Sequence, residues 1–436
     1  MVSVLLSEGS SLSSRQTITA LGSLGYQIDV CDSNQFCMGR FSRFVRRFYR
    51  CPAWAENPET YLEFILDRLE LGRYDVLLPV HEQAFLFAAA KEQLGSKVGI
   101  ALTEFGAFAL LQSKATFARL LARLGLPQPP TRFINSQSQL EAMNDFPYYV
   151  KAPYSTAGRG VWRVENAEDR SAAICALDKQ GLLGRAEIVA QGVATGALSQ
   201  AQAVFEHGRL IAVHCTSQLA EGIGGSQSAR LSVNHPTVRT HMEELGNYLW
   251  WHGALAIDYF FNPATGQPTY IEANPRLVEP MNATLSGVNL AEILVRLSLG
   301  ESFTRGSRGP IQTGRFGVRS HSLMATLLGI AGRGGSRLQL VSEATHAVFK
   351  RGVYKDSQED LTPLKKDWQS LIPLAFVGLR LLINPARAQQ IAGRAVSTYA
   401  LTPRAVEKIN SLESRSGERS VQKKTGAAGP VTRPKK

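Results

Sequence analysis

The sequence is poor in the residues that build disulfide frameworks and zinc sites. Its 436 residues include only five cysteines, at positions 31, 37, 51, 175 and 215, and none of them forms a CxxC pair. The eight histidines supply no HExxH motif. The sequence therefore indicates neither a disulfide framework nor a zinc site. Scattered, unpaired cysteines are typical of a reducing compartment, so we expect a cytoplasmic protein.

Long hydrophobic runs are also missing. The first residues, MVSVLLSEGSS, have no basic segment and only a short apolar run, so they predict a first β-strand and not a signal peptide. The longest apolar stretch near the C-terminus, Leu371–Ile383, is interrupted by Arg380 and is too short to span a bilayer. With 44% hydrophobic and 19% charged residues, the composition excludes a disordered chain, and the length predicts two or three domains.

Positive charge, in contrast, is in excess, with a formal net charge of +12. Residues 1–300 carry 25 Lys+Arg and 27 Asp+Glu, whereas residues 301–436 carry 23 and 9, so the excess lies in the last third. Such an excess is typical of proteins that bind nucleic acid, anionic membranes or anionic small molecules. We expect no specific nucleic acid partner, and peripheral membrane contact through the C-terminus is one use of this charge.

A second basic segment, RFSRFVRRFYR at residues 40–50, interleaves arginines with aromatic residues. This pattern also occurs at nucleic-acid-binding surfaces. Phe41, Phe44, Val45 and Phe48 have helical or near-helical spacing, however. The segment therefore predicts a helix that buries one face and leaves the arginines outside.

The alternation of strands and helices changes along the chain. Residues 1–108 predict a Rossmann-like α/β domain with a parallel sheet, although the loop after the first strand lacks GxGxxG. Residues 109–303 predict an α+β domain of antiparallel strands with flanking helices. Residues 304–410 predict a basic, partly helical extension, and residues 411–436 predict a disordered basic tail.

One segment of the second domain predicts a β-hairpin with an acidic face. Asp258 lies in its first strand, and Glu272, Asn274 and Arg276 follow at alternate positions in and just after its second strand. Residues two apart in a strand share a face, so these side chains can converge across the hairpin. Two carboxylates and an amide oxygen are typical ligands of Mg²⁺, and Arg276 adds a fixed cation for an anionic substrate. The alternative is a solvated polar face with a single salt bridge.

Two other segments of this domain carry groups suited to a nucleotide. The predicted strand YYVKAP ends at Lys151, and the small residues after it include Ser155, Gly158 and Gly160, whose backbone can approach phosphate oxygens. The predicted strand EIVAQG ends at Gln191, where backbone groups can meet an adenine edge. Each segment taken alone is also compatible with an ordinary turn.

Taken in order, these segments resemble the ATP-grasp superfamily of ligases, and its carboxylate–amine ligase and carbamoyl-phosphate-synthase-like branch most of all. The resemblance covers about residues 110–300, and the order Asp258, Glu272-Ala-Asn274-Pro-Arg276 is its most specific part. It implies a Rossmann-like domain before a two-subdomain ATP-grasp fold that holds the nucleotide between its subdomains. Ala157, where a further glycine is common, and Gln191, where glutamate is frequent, depart from the family pattern.

The resemblance also implies a reaction and a role for each residue. Lys114 and Lys151 would contact the phosphates of ATP, the Ser155–Gly160 loop would close over them, and Gln191 would lie at the adenine. Asp258, Glu272 and Asn274 would hold Mg²⁺, with Mn²⁺ as an alternative, and Arg276 would act with Lys151 at the transferring phosphoryl group. The substrates would be a small carboxylate, activated as an acyl phosphate, and an amine or related nucleophile.

Two other functions remain open from the sequence. One is an ATP-binding module of this fold without turnover, and the other is a protein whose basic C-terminus binds nucleic acid or an anionic membrane. Outside the motif, Arg230 in a Gly/Ser-rich loop is either an anchor for an anionic substrate or part of a flexible connection. His81 and Glu82 follow a predicted strand where a parallel sheet opens a crevice, and His81 is expected to be structural.

Overall fold

A parallel β-sheet organises the N-terminal part of the computed structural model, which describes residues 1–304 and 310–426. The elements of this part are β1 (Ser3–Leu6), α1 (Leu12–Gly22), β2 (Gln27–Asp32), β3 (Val45–Arg50), α2 (Pro58–Gly72), β4 (Val76–Leu78), α3 (Gln83–Ala89), α4 (Lys91–Gly95) and α5 (Phe105–Gln112). The strand order is β3-β2-β1-β4, and every pairing is parallel. The central strand β1 is buried along its whole length, as is usual for parallel sheets.

The predicted helix within residues 40–50 is wrong, because most of this segment forms the edge strand β3. Only Met38–Arg40 makes a short 3₁₀ turn before it. Pairing with β2 supplies the backbone partners of the strand, and the guanidinium of Arg46 binds the buried Asp29 of β2 at 2.9 Å. Both interactions are distant in sequence, and local spacing therefore did not predict them.

A small antiparallel sheet follows. Its elements are α6 (Lys114–Leu124), β5 (Thr131–Ile134), α7 (Gln137–Glu141), β6 (Tyr148–Lys151), β7 (Val161–Val164), α8 (Ala167–Lys179) and β8 (Ile188–Gly192), and the strand order is β5-β8-β6-β7. Helix α6 begins after Ser113 and ends at Gly125, whose φ of 66° is the left-handed conformation that closes many helices. Because the helix starts directly after Ser113, Lys114 lies in its first turn.

A larger sheet occupies the rest of the predicted second domain. Its first elements are β9 (Ala197–Glu206), β10 (Arg209–Glu221), β11 (Gln227–Val233), α9 (Pro236–Leu249), β12 (Gly253–Asn262), β13 (Gln267–Asn274), α10 (Met281–Leu285) and α11 (Leu290–Ser298). The remaining elements are β14 (Gln312–Thr313), β15 (Arg319–His321), α12 (Leu323–Gly332), α13 (Arg337–Val348), β16 (Ser357–Glu359), α14 (Leu371–Ile383), α15 (Ala388–Tyr399) and α16 (Pro403–Gly426). The strand order is β13-β12-β9-β10-β11-β15-β16, with β14 beside β10. The predicted combination of a parallel α/β unit with antiparallel α+β sheets is confirmed.

The C-terminal extension is tied to both earlier parts of the chain. Its strands β14, β15 and β16 belong to the large sheet, so a boundary at residue 303 divides one sheet. Leu401, Val406 and Ile409 are buried in the same hydrophobic cluster as Phe85 of the N-terminal part. Residues 411–426 of the tail that was predicted to be disordered continue helix α16, and residues 427–436 lie outside the described residues.

Candidate functional site

The hairpin of β12 and β13 brings the predicted acidic residues together. Asp258 and Glu272 are direct cross-strand partners. The amide nitrogen of Asn274 donates to Asp258 Oδ2 at 3.0 Å, and the guanidinium of Arg276 donates to Asn274 Oδ1 at 3.1 Å. The other oxygen of Asp258 accepts from Gln200 Nε2 at 2.8 Å. The alternation along the second strand thus produces one continuous polar face, as the sequence predicts.

The chemistry of this face fits a divalent metal ion. Burial, and then the negative charge of Glu272, raise the pKa of Asp258 to about 6, while the hydrogen bond from Gln200 and the charge of Arg276 oppose the shift. A divalent cation between the two carboxylates would remove their repulsion. The oxygens of Asp258, Glu272 and Asn274 are the hard ligands that Mg²⁺ prefers.

This ligand set is incomplete on its own. In the part of the chain that the structure describes, no group of three or more His, Cys, Asp or Glu side chains is arranged to hold a metal ion. A metal at the hairpin would therefore have two carboxylates and one amide as protein ligands. Water and the phosphate oxygens of a nucleotide are the usual remaining ligands of Mg²⁺ in such sites.

Two buried lysines reach this hairpin from other elements. Lys114, in the first turn of α6, places its ammonium 2.6 Å from Glu272 Oε1 and 3.5 Å from the carbonyl oxygen of Ser155. Lys151, at the end of β6, donates to Gln191 Oε1 at 2.6 Å and to the carbonyl oxygen of Ile271 on β13 at 3.3 Å. The site therefore lies where the small sheet meets the large one.

The environment of Lys151 lowers the pKa of its ammonium group. The side chain is buried, and this burial lowers its pKa to about 8, reinforced by the charge of Lys114 and opposed by those of Glu272 and Asp258. Gln191 fixes the ammonium with its Oε1 and donates with its Nε2 to Thr131 Oγ1 at 3.0 Å. Because both ends of its side chain are bound, Gln191 acts here as a positioning residue for Lys151.

The loop after β6 turns sharply beside the lysines. Gly158 and Gly160 have φ angles of 73° and 80°, and a Cβ at Gly160 would lie 3.0 Å from that of Ser155. Ala157 has a φ of 54° in the same turn, a left-handed conformation that glycine adopts more readily. The position where this sequence departs from the family pattern is therefore one that suits glycine.

A residue from the N-terminal part completes the polar cluster. Glu82, directly before α3, accepts from Arg276 at 3.2 Å and from Thr156 Oγ1 at 3.3 Å with one oxygen, and from Gln112 Nε2 at 2.8 Å with the other. Glu82 thus joins the hairpin to the glycine-containing loop. The sequence predicted a crevice at this position but gave no signal for these partners, which are up to 194 residues away in the chain.

The C-terminal extension closes over the same region. Tyr399 of α15 packs on the ring of His81, with 4.0 Å between the ring centres. The backbone nitrogen of Leu401 donates to Thr156 Oγ1 at 3.4 Å, and Arg159 donates to the carbonyl oxygen of Gly393 at 2.5 Å. Burial and the charge of Arg276 lower the pKa of His81 well below its ordinary value, which favours a neutral ring. Sequence analysis did not place any residue of the extension at the site.

Arg230 is not a free anchor for an anionic substrate. Its guanidinium is buried and forms ion pairs with Glu279 and, at 3.7 Å, with Asp360 of the extension. Burial raises the pKa of Asp360 to about 7, although the charge of Arg230 opposes the shift. The loop before Arg230 forms a short 3₁₀ turn at Ile223–Gly225 between β10 and β11. Arg230 therefore joins the large sheet to the extension.

Solved structures similar to this chain share its fold. They include the biotin carboxylase domain of Hydrogenobacter thermophilus 2-oxoglutarate carboxylase, in complex with MgADP, ADP and bicarbonate, at 18% identity and a TM-score of 0.56, with 73% of each chain covered. They also include L-amino acid ligase from Bacillus licheniformis, at 15% identity and a TM-score of 0.54, with 72% of this chain and 77% of that chain covered. A third is N5-carboxyaminoimidazole synthetase from Staphylococcus aureus with ADP, at 14% identity and a TM-score of 0.53, with 73% and 80% covered.

These likenesses establish the fold. No protein-family model and no curated protein matches the chain by sequence. The chain has the ATP-grasp fold, as the resemblance of its motifs predicts.

Proposed function

We propose that this protein is an ATP- and Mg²⁺-dependent ligase that activates a carboxylate as an acyl phosphate for attack by an amine or related nucleophile. One observation carries the proposal. Lys114, Lys151 and Arg276 converge on the hairpin that carries Asp258 and Glu272, at the junction of two sheets. Lys114 contacts Glu272 directly, Lys151 contacts the backbone of β13 beside Glu272, and Arg276 contacts Asn274, which in turn donates to Asp258. Phosphoryl transfer requires mainly positioning and charge neutralisation, which such a set supplies.

The residues divide the work by position. Lys114 and Lys151 bind phosphate oxygens, and Arg276 stabilises the charge that develops on the transferring phosphoryl group. Asp258, Glu272 and Asn274 hold Mg²⁺, which neutralises phosphate charge when bound. Because the side chain of Gln191 is bound to Lys151 and Thr131, we assign the contact with adenine to the backbone at the end of β8.

The proposed reaction has two steps. A carboxylate oxygen of the substrate attacks the γ-phosphorus, the bond to the β-phosphate oxygen breaks, and ADP leaves. The nitrogen of the amine then attacks the acyl carbon, phosphate leaves, and the nitrogen loses a proton as the amide forms. Glu82 holds Arg276 and Thr156 in place during the first step. The loop at residues 155–160 excludes water from the phosphoryl group.

A trap for the acyl phosphate tests this proposal without knowledge of the natural amine. The full chain is incubated with MgATP, hydroxylamine and single members of a panel of small carboxylates, and hydroxamate and ADP are measured together. We expect equal amounts of both with one class of carboxylate, and Lys151→Met should abolish both. Bound ATP without ADP release for any carboxylate would favour a nucleotide-binding module without turnover. Replacement of Mg²⁺ by Mn²⁺ in the same assay tests the alternative metal.

The kind of substrate, the cellular location and the membrane contact of this protein are also proposals. Small-molecule substrates and a cytoplasmic location are consistent with the polar site and the unpaired cysteines. Contact of the C-terminal part with an anionic membrane is a separate proposal, because none of the site residues takes part in it.

A further inference from the structure

The C-terminal extension exposes large hydrophobic side chains on two neighbouring helices and the turn before one of them. We call this surface the apolar face, and its main members are Leu338, Val348, Phe349, Trp368, Phe376 and Leu379. Their exposed fractions lie between 57% and 82%. Helix α14 carries one charged residue, Arg380, and buries only Leu381 fully. A helix with this composition is costly to leave in water unless something covers it.

The apolar face continues into a groove. Helices α12, α13 and α14 enclose a cavity of about 390 Å³, lined almost entirely by aliphatic side chains such as Leu327, Leu340 and Leu374. Val348 and Phe349 of the apolar face, together with the exposed Leu382, are among the side chains that line it. In the described residues, no helix is both long and apolar enough to cross a membrane.

The surroundings of the apolar face are positively charged. Exposed cationic side chains lie along the same stretch of chain, at Arg337, Lys350, Arg351, Lys365, Lys366 and Arg387. Within the residues that the structure describes, none of these six is within 4.0 Å of a carboxylate.

The acidic residues of this stretch are largely occupied elsewhere. Asp360 and Asp367 are buried, and Glu359 accepts from the backbone of Leu323, Leu361 and Thr362. Glu343 is half-buried and accepts from the hydroxyl of Tyr354 at 2.7 Å, whereas Asp356 is exposed. Exposed lysines and arginines therefore outnumber exposed carboxylates along this stretch.

We propose that the apolar face docks onto an anionic lipid membrane, with its aromatic and aliphatic side chains in the interfacial region and the surrounding lysines and arginines at the lipid headgroups. Lys and Arg beside exposed Trp, Phe and Leu are the composition of helices that lie in the membrane interface. Anionic headgroups attract such cations only over a short, salt-dependent distance. Arg380 lies over the ring of Phe376, 4.5 Å from its centre, and can extend toward a headgroup from there.

Other occupants fit this surface less well. A second copy of the chain in a symmetric dimer would bring the same cations against one another, which disfavours that contact. A soluble protein partner would need an acidic rim around an apolar centre. A nucleic acid would use the cations but leave the apolar face in water. An anionic membrane uses both the positive charge and the apolar face, and it needs no specific arrangement of acidic and apolar groups to do so.

Vesicle sedimentation of the full chain tests the proposal, and it does not depend on the proposed ligase activity. We expect binding to vesicles of phosphatidylcholine with phosphatidylglycerol, and weak binding to phosphatidylcholine alone. The double substitution Phe376→Ser with Leu379→Ser should weaken binding about tenfold or more, and so should Lys365→Glu with Lys366→Glu. Raising the salt from about 0.1 M to about 1 M should weaken the wild-type binding as well.

Matched controls separate the apolar face from general effects. Leu71→Ser removes an equally exposed leucine from α2, and Lys179→Glu reverses an exposed lysine at the end of α8, so neither should change binding. A thermal melt shows that each variant is folded.

Several results would overturn the proposal. No binding to anionic vesicles would do so, and equal binding by the Phe376→Ser, Leu379→Ser variant would show that the apolar face is not used. A wild-type dimer in solution that this variant converts to a monomer would identify a second copy as the occupant. RNA that binds in place of vesicles, with loss only in the lysine variant, would identify a nucleic acid.

Discussion

The same type of side chain is used in opposite ways in two regions of this molecule. In the candidate site, Lys114, Lys151 and Arg276 are 7%, 7% and 8% exposed, and each is held by named oxygen acceptors. In the extension, Lys365 and Lys366 are exposed and lie beside hydrophobic side chains. The first group consists of a few cations with fixed geometry, and the second forms a diffuse positive surface.

This difference shows that the net charge of a segment does not indicate where the cations of the candidate site lie. Residues 1–300 have two more acidic than basic residues, yet they contain the three cations that we propose bind phosphates. A buried cation needs a partner because desolvation is costly, so its position is fixed by that partner, in a structural pair such as Arg15 with Asp367 or in the candidate site. An exposed cation needs no partner, so only the number of such cations on a surface and the residues beside them are informative.

Breaking the connection between the two regions should have the largest effect on stability. Asp367 of the extension and Arg15 of α1 form a completely buried ion pair at 2.7 Å, and Ser42 also donates to Asp367. Asp367→Ala leaves the Arg15 charge buried without its partner. We expect the free energy of unfolding to fall by about 3–5 kcal/mol in chemical denaturation.

The exposed Asp67 of α2 provides the control for this measurement. Asp67→Ala should change the free energy of unfolding by no more than about 0.5 kcal/mol. A loss below about 1 kcal/mol in Asp367→Ala would mean that the ion pair does not hold the extension to the N-terminal part.

Loss of one carboxylate at the site should have the largest effect on activity. Glu272→Gln keeps an oxygen for Lys114 but removes a charge from the pair with Asp258. Removing a preorganised charged group from such a site costs about 100-fold or more in kcat, so we expect at least this loss in ADP formation by a variant that a thermal melt shows to be folded. Glu187→Gln, which affects only the surface pair with Arg119, should retain full activity. Near-normal turnover in Glu272→Gln would refute the metal-site assignment.

The sequence predicted the residues of the β12–β13 hairpin better than the residues that surround this hairpin, for a physical reason. Asp258, Glu272, Asn274 and Arg276 lie on one hairpin, where strand alternation and a short turn determine which side chains meet. Lys151 and the glycine-containing loop are likewise adjacent in sequence. Local rules were therefore sufficient for these residues.

The positions of the residues around the hairpin depend on contacts between distant parts of the chain. Glu82 meets Arg276 across 194 residues, and Arg159 meets Gly393 across 234. No local pattern encodes such partners, and an isolated glutamate after a strand has many other uses. The edge strand β3 was mistaken for a helix on the same grounds, because its partner Asp29 lies in another strand.

The pH dependence of ATP use should distinguish the positioned cations from the exposed ones. Lys151 must be protonated to bind phosphate, and its pKa is about 8, so kcat/KM for ATP should fall roughly tenfold per pH unit above this value. Asp258 must be ionised to hold a metal, and its pKa of about 6 places the acid limb near pH 6. Lys151→Arg should lose the alkaline limb, because arginine stays protonated in this range. An alkaline limb that persists in this variant would assign it to another group.

The smallest effect is expected where the extension touches the glycine-containing loop. The hydrogen bond from Arg159 to Gly393 connects this loop to the extension, together with the one from Leu401 to Thr156, and Arg159→Ala removes it. A hydrogen bond of this kind contributes about 0.5–1.5 kcal/mol, so KM for ATP should rise about 2- to 10-fold with little change in kcat. Arg163→Ala in the adjoining strand β7 is the control, because that side chain pairs with Glu165 at the surface and makes no hydrogen bond to the described part of the extension. If both variants raise KM equally, the effect comes from lost positive charge, and the extension does not position the loop. A rise in KM confined to Arg159→Ala would show that the extension contributes to nucleotide binding through its contact with this loop.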